Sequence, residues 1–157
     1  MTHFASYQWH VLYQVGHQRE GVTIASVPAL RLAQKLDRAL DRLEQEPHSP
    51  PLILDGQAAL LEDYLTIRPE NFERIEALVQ ARRLLVGPWY VESVFTGPEL
   101  AIRNLMLGLR TAHVFGSPLR VGYMPWAIHL PHWLPGILCG FGIDTVLWGD
   151  RQLTWDG

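Results

Sequence analysis

The chain has 157 residues, 48% of them hydrophobic and 18% charged, a globular composition that excludes an intrinsically disordered chain. A formal net charge of −3 with no clustered basic stripe gives no field to draw nucleic acid or an anionic membrane, so a small or neutral partner is expected. No apolar run reaches the roughly 20 residues of a membrane span, the single cysteine, Cys139, cannot form an internal disulfide, and the N-terminus MTHFASYQWH has neither the basic start nor the apolar run of a secretory signal; one soluble cytoplasmic domain, residues 1–157, is the expectation.

In chain order, Trp9–Val15 is an apolar run bordered by Gly16 and reads as the first buried strand. From Pro28 to Glu46 the positions Leu30, Leu32, Ala33, Leu36, Leu40 and Leu43 recur at helical spacing, with Ser26 as N-cap and Pro47 as stop. Pro51–Asp55 predicts a second buried strand ending in an Asp-Gly turn, and Ala58–Leu65 a short helix. Pro69–Arg83 predicts a further helix: Pro69 suits the first helical position, Glu70 and Glu73 its positive start, Arg82 and Arg83 its end, and Phe72, Ile75, Leu78 and Val79 its apolar face. Leu84–Val91 is a strand that Pro88 cuts or bends, Glu99–Phe115 a helix, Arg120–Met124 a strand, Trp133–Cys139 a short helix, and Thr145–Trp148 the last strand. Strands alternating with helices predict an α/β fold with a mostly parallel sheet, open or closed into a barrel. In such folds the functional loops follow the carboxyl ends of the strands, here 16–20, 55–57, 89–93, 125–129 and 149–151.

Several blocks carry a family resemblance. LDGQ at Leu54–Gln57, EDYLTIRPEN at Glu62–Asn71, RLLVGPWYV at Arg83–Val91, IRNLMLG at Ile102–Gly108, VGYMP at Val121–Pro125 and LPGILCGFGID at Leu134–Asp144 arrive in the order found in bacterial α-mannosidases of glycoside hydrolase family 38. The chain resembles the amino-terminal part of that family's catalytic (β/α) barrel. The resemblance implies a retaining glycosidase whose strand ends hold one zinc ion, with two ligands from an H-x-D motif after strand one. A third ligand, the Asp of a P-D-x-F-G-H motif, doubles as nucleophile, and a fourth is a histidine farther along the chain.

Aligned backward without gaps from Leu30-Arg-Leu, the family's H-W-D-R-E-W falls on Gly16-His17-Gln18-Arg19-Glu20-Gly21, and, in the second motif, its P-D-x-F-G-H falls on Pro125-Trp126-Ala127-Ile128-His129-Leu130. Glycine has no ligating side chain, a neutral amide is a far poorer zinc ligand than a carboxylate, and an indole is neither ligand nor nucleophile. No catalytic residue, no metal site and no cofactor are therefore expected at Gly16, Gln18 and Trp126. After Trp89-Tyr90 the family continues with an acidic P-D-E segment where this chain reads Glu92-Ser-Val-Phe-Thr-Gly97, and the chain stops at Gly157, roughly half-way through the barrel that the resemblance implies.

The expectation is a domain inactive on its own, with residual binding of a carbohydrate or of a partner. The alternative is an active α-mannosidase half completed by a second, separately encoded chain. The residues expected to contact a sugar are Asp55, Trp89, Tyr90 and Trp126: aromatic faces at strand ends can stack on pyranose rings, or the same rings, with Trp148, can fill a pocket emptied by the missing ligands. Asp55, Gln57, Glu92 and Asp150 are the strand-end polar groups that could still contact a sugar, but nothing pairs the carboxylates as a hydrolytic couple, and Asp55 is alternatively the cap of its Asp-Gly turn. His129 and His132 have H-x-x-H spacing but are separated by Pro131 without a nearby carboxylate, and His17 is one position off the family register, so all three read as loop histidines. Arg68, Glu70 and Asn71 read as a helix-start arrangement serving structure.

Overall fold

The computed structural model describes residues 27–54, 57–91, 97–124, 130–148 and 151–154, without the side chains of 27–29, 148 and 151–154. The expected strand at Trp9–Val15 and the Ser26 cap lie outside these residues. The chain divides into two units, Met1–Asp55 with Leu60–Leu85, and Gly56–Ala59 with Val86–Gly157.

In the first unit, helix α1 spans Val27–Gln45 and buries Leu32, Ala33, Leu36, Leu40 and Leu43. Each buried leucine contributes about 1.5–3 kcal/mol of transfer free energy. Leu30, expected on the same face, is 43% exposed, because two positions before Leu32 is roughly 200° around the helix. After the stop at Pro47 the chain enters β1 (Leu52–Ile53), which pairs in parallel with β2 (Leu84–Leu85), Leu52 opposite Leu84 and Ile53 opposite Leu85. The ladder is shorter than the predicted strand Pro51–Asp55. Its two residues are only half-buried, while Leu54 just beyond them is fully buried.

Helix α2 (Ala59–Ile67) follows, its first residue falling in the second unit. The single helix expected over Pro69–Arg83 is instead a 3₁₀ turn, Pro69–Asn71, leading into α3 (Phe72–Gln80), with Ile75, Leu78 and Val79 buried and Phe72 half-buried. Helix α3 ends early because the chain turns left-handed at Arg82, φ 55°. The Arg83 N–H then donates to the Leu78 carbonyl at 2.8 Å and the Arg82 N–H to the Val79 carbonyl at 3.0 Å, a Schellman closure with arginine where glycine usually stands.

Arg83 does not complement the end of α3 as its position suggests. Its guanidinium reaches the end of α1, donating to the carbonyls of Leu43 (3.2 Å), Glu46 (2.6 Å) and Ser49 and to the Ser49 hydroxyl at 2.9 Å. The Leu43 carbonyl, which the last helical turn leaves without an intrahelical partner, is thereby satisfied. Arg74 of α3 adds a second tie to α1, pairing with Glu44 and Asp41, each at 2.5 Å.

Arg68 and Asn71 do more than start a helix. The fully buried Tyr64 of α2 donates its hydroxyl to Asp37 of α1 at 2.7 Å and accepts from the Asn71 side-chain amide at 2.5 Å, while Arg68 lies 3.4 Å from the other Asp37 oxygen. Burial first, and then donation to the Asp37 carboxylate, push the Tyr64 phenol well above its ordinary range.

In the second unit, a single parallel bridge joins Gln57 to Trp89, extended by Ala58 N–H to the Trp89 carbonyl at 2.8 Å and Ala59 N–H to the Tyr90 carbonyl at 2.9 Å. The segment predicted as a strand that Pro88 bends carries a cis Gly87–Pro88 peptide and a positive φ of 92° at Gly87. Helix α4 is Pro98–His113, β3 Gly122–Met124, α5 Leu134–Gly140, β4 Thr145–Trp148 and β5 Arg151–Thr154. Strands β3 and β4 are parallel, as expected of the alternating pattern, and Val146 fits beside Gly122 because a Cβ there would lie 2.9 Å from its Cγ2. Thr145–Trp148 is not the last strand: β5 returns antiparallel to it, Trp148 opposite Arg151, so Arg151, expected in a loop, begins a strand and the sheet is mixed. The core comprises Trp89, Leu105, Met124, Leu134, Leu138, Ile143 and Val146, with Leu130, Trp133, Ile137 and Phe141 against it. No closed barrel is formed by these strands. Among the described residues no helix is long and apolar enough to cross a membrane.

Two substitutions test the first unit. Tyr64→Phe should cost about 1–2 kcal/mol in urea unfolding at neutral pH, since Asp37 and Asn71 each lose a buried partner. With the folded-state phenol raised, the tyrosine's contribution is complete below about pH 10, the unfolded value, and is lost as pH climbs beyond it, because the unfolded chain releases the proton first. The gap between wild type and Tyr64→Phe should therefore narrow above about pH 10. At Arg82 the left-handed backbone favours glycine, so Arg82→Gly should be stabilising by about 0.5–1 kcal/mol, read as a rise in the urea midpoint.

Candidate functional site

The strand-end rule directs attention to the segment after Pro88, the one functional loop of the sequence whose start is described. Trp89 has 0% exposure and its indole N–H donates to the Tyr123 carbonyl at 3.0 Å. Of the two readings left open for this ring, core filling describes it: a pyranose cannot stack on a side chain enclosed by Leu105, Met124 and Leu138. Trp89 is thereby corrected from a sugar-contacting residue to a core residue. Tyr90 follows it where the chain bends, and is half-buried. Asp55, Trp126, Gly16, Gln18, His17, His129, Glu92 and Asp150 lie outside the described residues, as does the side chain of Trp148. Gln57 is buried beside Trp89, and His132 is exposed, as a loop histidine should be.

The residue that organises this segment was not singled out by its chemistry. Asn104 of α4 is 5% exposed; its Oδ1 accepts the N–H groups of Tyr90 at 2.7 Å and Val91 at 3.1 Å, and its Nδ2 donates to the Val91 carbonyl at 2.9 Å. Two donors on one side of the amide and one acceptor on the other settle which end is oxygen. A signal was available: asparagine is a poor helix former, and here it stands between the core-facing Ala101, Leu105, Leu109 and Ala112.

Gly108, one turn further along the same helix, lets the two backbones meet. A Cβ built on it would overlap the Pro88 carbonyl oxygen, the Trp89 carbonyl carbon and the Tyr90 nitrogen, so only hydrogen fits. Helix α4 thus presses on the Pro88–Val91 backbone through a glycine and holds it through an amide. Among the described residues no three His, Cys, Asp or Glu side chains converge as a metal site would require.

Comparisons with known proteins agree with one another. No family model matches the chain. A curated protein of Halalkalibacterium halodurans named "Putative mannosylglycerate hydrolase" is 33% identical over 121 residues, which is 75% of this chain and 14% of that protein. Among solved structures, an α-mannosidase from Enterococcus faecalis V583 superposes with a TM-score of 0.71 at 29% identity, covering 77% of this chain. A glycosyl hydrolase family 38 protein from Enterococcus faecalis does so with a TM-score of 0.70 at 30% identity, covering 78% of this chain. In each case the chain spans 14% of the relative's length, within its amino-terminal part. The resemblance to family 38 and the mixed α/β framework both stand.

Replacing Gly108 by alanine should destabilise the protein by about 1–3 kcal/mol despite alanine's better helix propensity, because the added methyl meets backbone rather than a side chain able to move. Thermal unfolding followed by circular dichroism checks this.

Proposed function

Over about three quarters of its length this chain is a family 38 glycoside hydrolase-like α/β segment, and from that premise we propose that it is an α-mannosidase-like domain that does not hydrolyse glycosides by itself and retains carbohydrate binding. One observation carries the loss of chemistry: in ungapped register, the family's two H-x-D ligand positions are Gly16 and Gln18, and its ligand-nucleophile position is Trp126. A hydrogen, a neutral amide and an indole do not make a zinc site, and an indole supplies no nucleophile for a glycosyl intermediate. The donor set does not fit the family's metal, and no catalytic step is assigned to this segment.

Support for carbohydrate as the ligand class comes from the relatives' names, α-mannosidase and mannosylglycerate hydrolase, and from an aromatic residue, Tyr90, at a strand end. An α-linked mannoside is the ligand proposed. Binding without hydrolysis is consistent with losing metal and nucleophile, since apolar ring faces and hydrogen-bonding groups recognise a pyranose independently of the groups that cleave it.

Purified protein dialysed against zinc should hold well under one equivalent by metal analysis and release no aryl alcohol from an aryl α-mannoside. Stoichiometric zinc together with aryl release would sink the proposal. Binding is read separately, by titrating labelled protein with methyl α-mannoside and with mannosylglycerate.

A further inference from the structure

The sequence shows no clustered basic stripe, but the helical period builds a short one in α1. Arg31, Lys35 and Arg38 stand at i, i+4 and i+7, within about 60° of one another around the axis, and all three are exposed. None of them is in an ion pair among the described residues. The acids of the same helix are engaged elsewhere: Asp37 accepts from Tyr64 and pairs with Arg68, while Asp41 and Glu44 pair with Arg74. A row of opposite sign lies in the same unit. Glu70 of the 3₁₀ turn and Glu73 and Glu76 of α3 follow at three-residue intervals, the first two exposed and the third half-buried. They too are in no ion pair among the described residues.

Both rows carry a local cost, because like charges three or four residues apart on a helix repel each other. Set against one another, the rows relieve both repulsions. They also match in length: each covers about 10 Å at the rise of these helices. Exposed ion pairs are individually weak and screened by salt, so such a contact depends on the whole row and on low ionic strength. We propose that the Arg31, Lys35 and Arg38 row of α1 is a docking surface for the Glu70, Glu73 and Glu76 row of a second copy of this chain. Since every copy carries both rows, a two-fold pair makes the contact twice.

Sedimentation equilibrium of the full chain reads it. Wild type should associate reversibly in about 0.01 M salt, where screening reaches about 30 Å, and be monomeric in about 1 M, where it reaches about 3 Å. Lys35→Glu and Glu73→Lys, each central in its row, should each weaken association about tenfold or more, because like charges then face each other. The two substitutions move the net charge in opposite directions, so an effect of overall charge would weaken association in one and strengthen it in the other. Mixed together, the two variants should associate as wild type does, since each supplies the charge that the other has inverted. Circular dichroism checks that both are folded; if Glu73→Lys, which also removes an acid from the first turn of α3, is not, Glu76→Lys takes its place. Wild type that is monomeric at both salt concentrations, association that persists undiminished at the higher one, single variants that associate unchanged, or a mixture that stays monomeric overturns the inference. Monomeric wild type that binds poly-L-glutamate, with Lys35→Glu abolishing it, assigns the α1 row to a foreign acidic partner and overturns the inference as well.

Discussion

In the second unit the backbone of helix α4 lies so near the segment Pro88–Val91 that only a hydrogen fits at Gly108, and the geometry around this contact follows from that atom. Because no Cβ intervenes, the helix comes within reach of an asparagine amide, the shortest side chain able to satisfy two N–H groups and a carbonyl at once. With that backbone held, Trp89 turns into the space lined by Leu105, Met124 and Leu138, and its indole N–H finds the Tyr123 carbonyl at the β3 edge. Helix, bent strand and sheet are therefore parts of one packing solution, in which the buried polar groups named here are satisfied as a low-dielectric interior demands.

The first unit uses charge where the second uses an amide. Arg83 spans the end of α1 and the start of β2 by donating to backbone carbonyls, and Arg74 binds α1 to α3 through two carboxylates. Arg74 belongs to the weaker class of tie, since the pair is partly exposed and screened. Arg83 belongs to the stronger one, since the last-turn Leu43 carbonyl beneath it has no intrahelical partner. The Tyr64, Asp37, Asn71 and Arg68 group shows why part of the EDYLTIRPEN block reads as a motif: its residues meet in space around one buried hydroxyl.

A fold can keep its framework while its chemistry lapses, because the two reside in different residues. The blocks that place this chain near family 38 are helix faces, glycines and buried amides, all of them packing devices. In folds of this kind the functional loops follow the strands, apart from the residues that pack the core.

What the sequence determined by itself was the set of elements and their kind. Leucines at helical spacing mark α1, Pro69 opens a helical segment, and short apolar runs become β1 to β4, because local periodicity and proline's fixed φ act within a few residues. Tertiary structure decided the rest. Whether Trp89 faces ligand or core, whether Arg83 serves its own helix or α1, and that β5 folds back antiparallel on β4 depend on neighbours distant in sequence. Periodicity carries no information about such partners. Asn104 joins both levels: a poor helix former on an apolar helix face was visible in the chain, and only the backbone 13 and 14 residues earlier explains it.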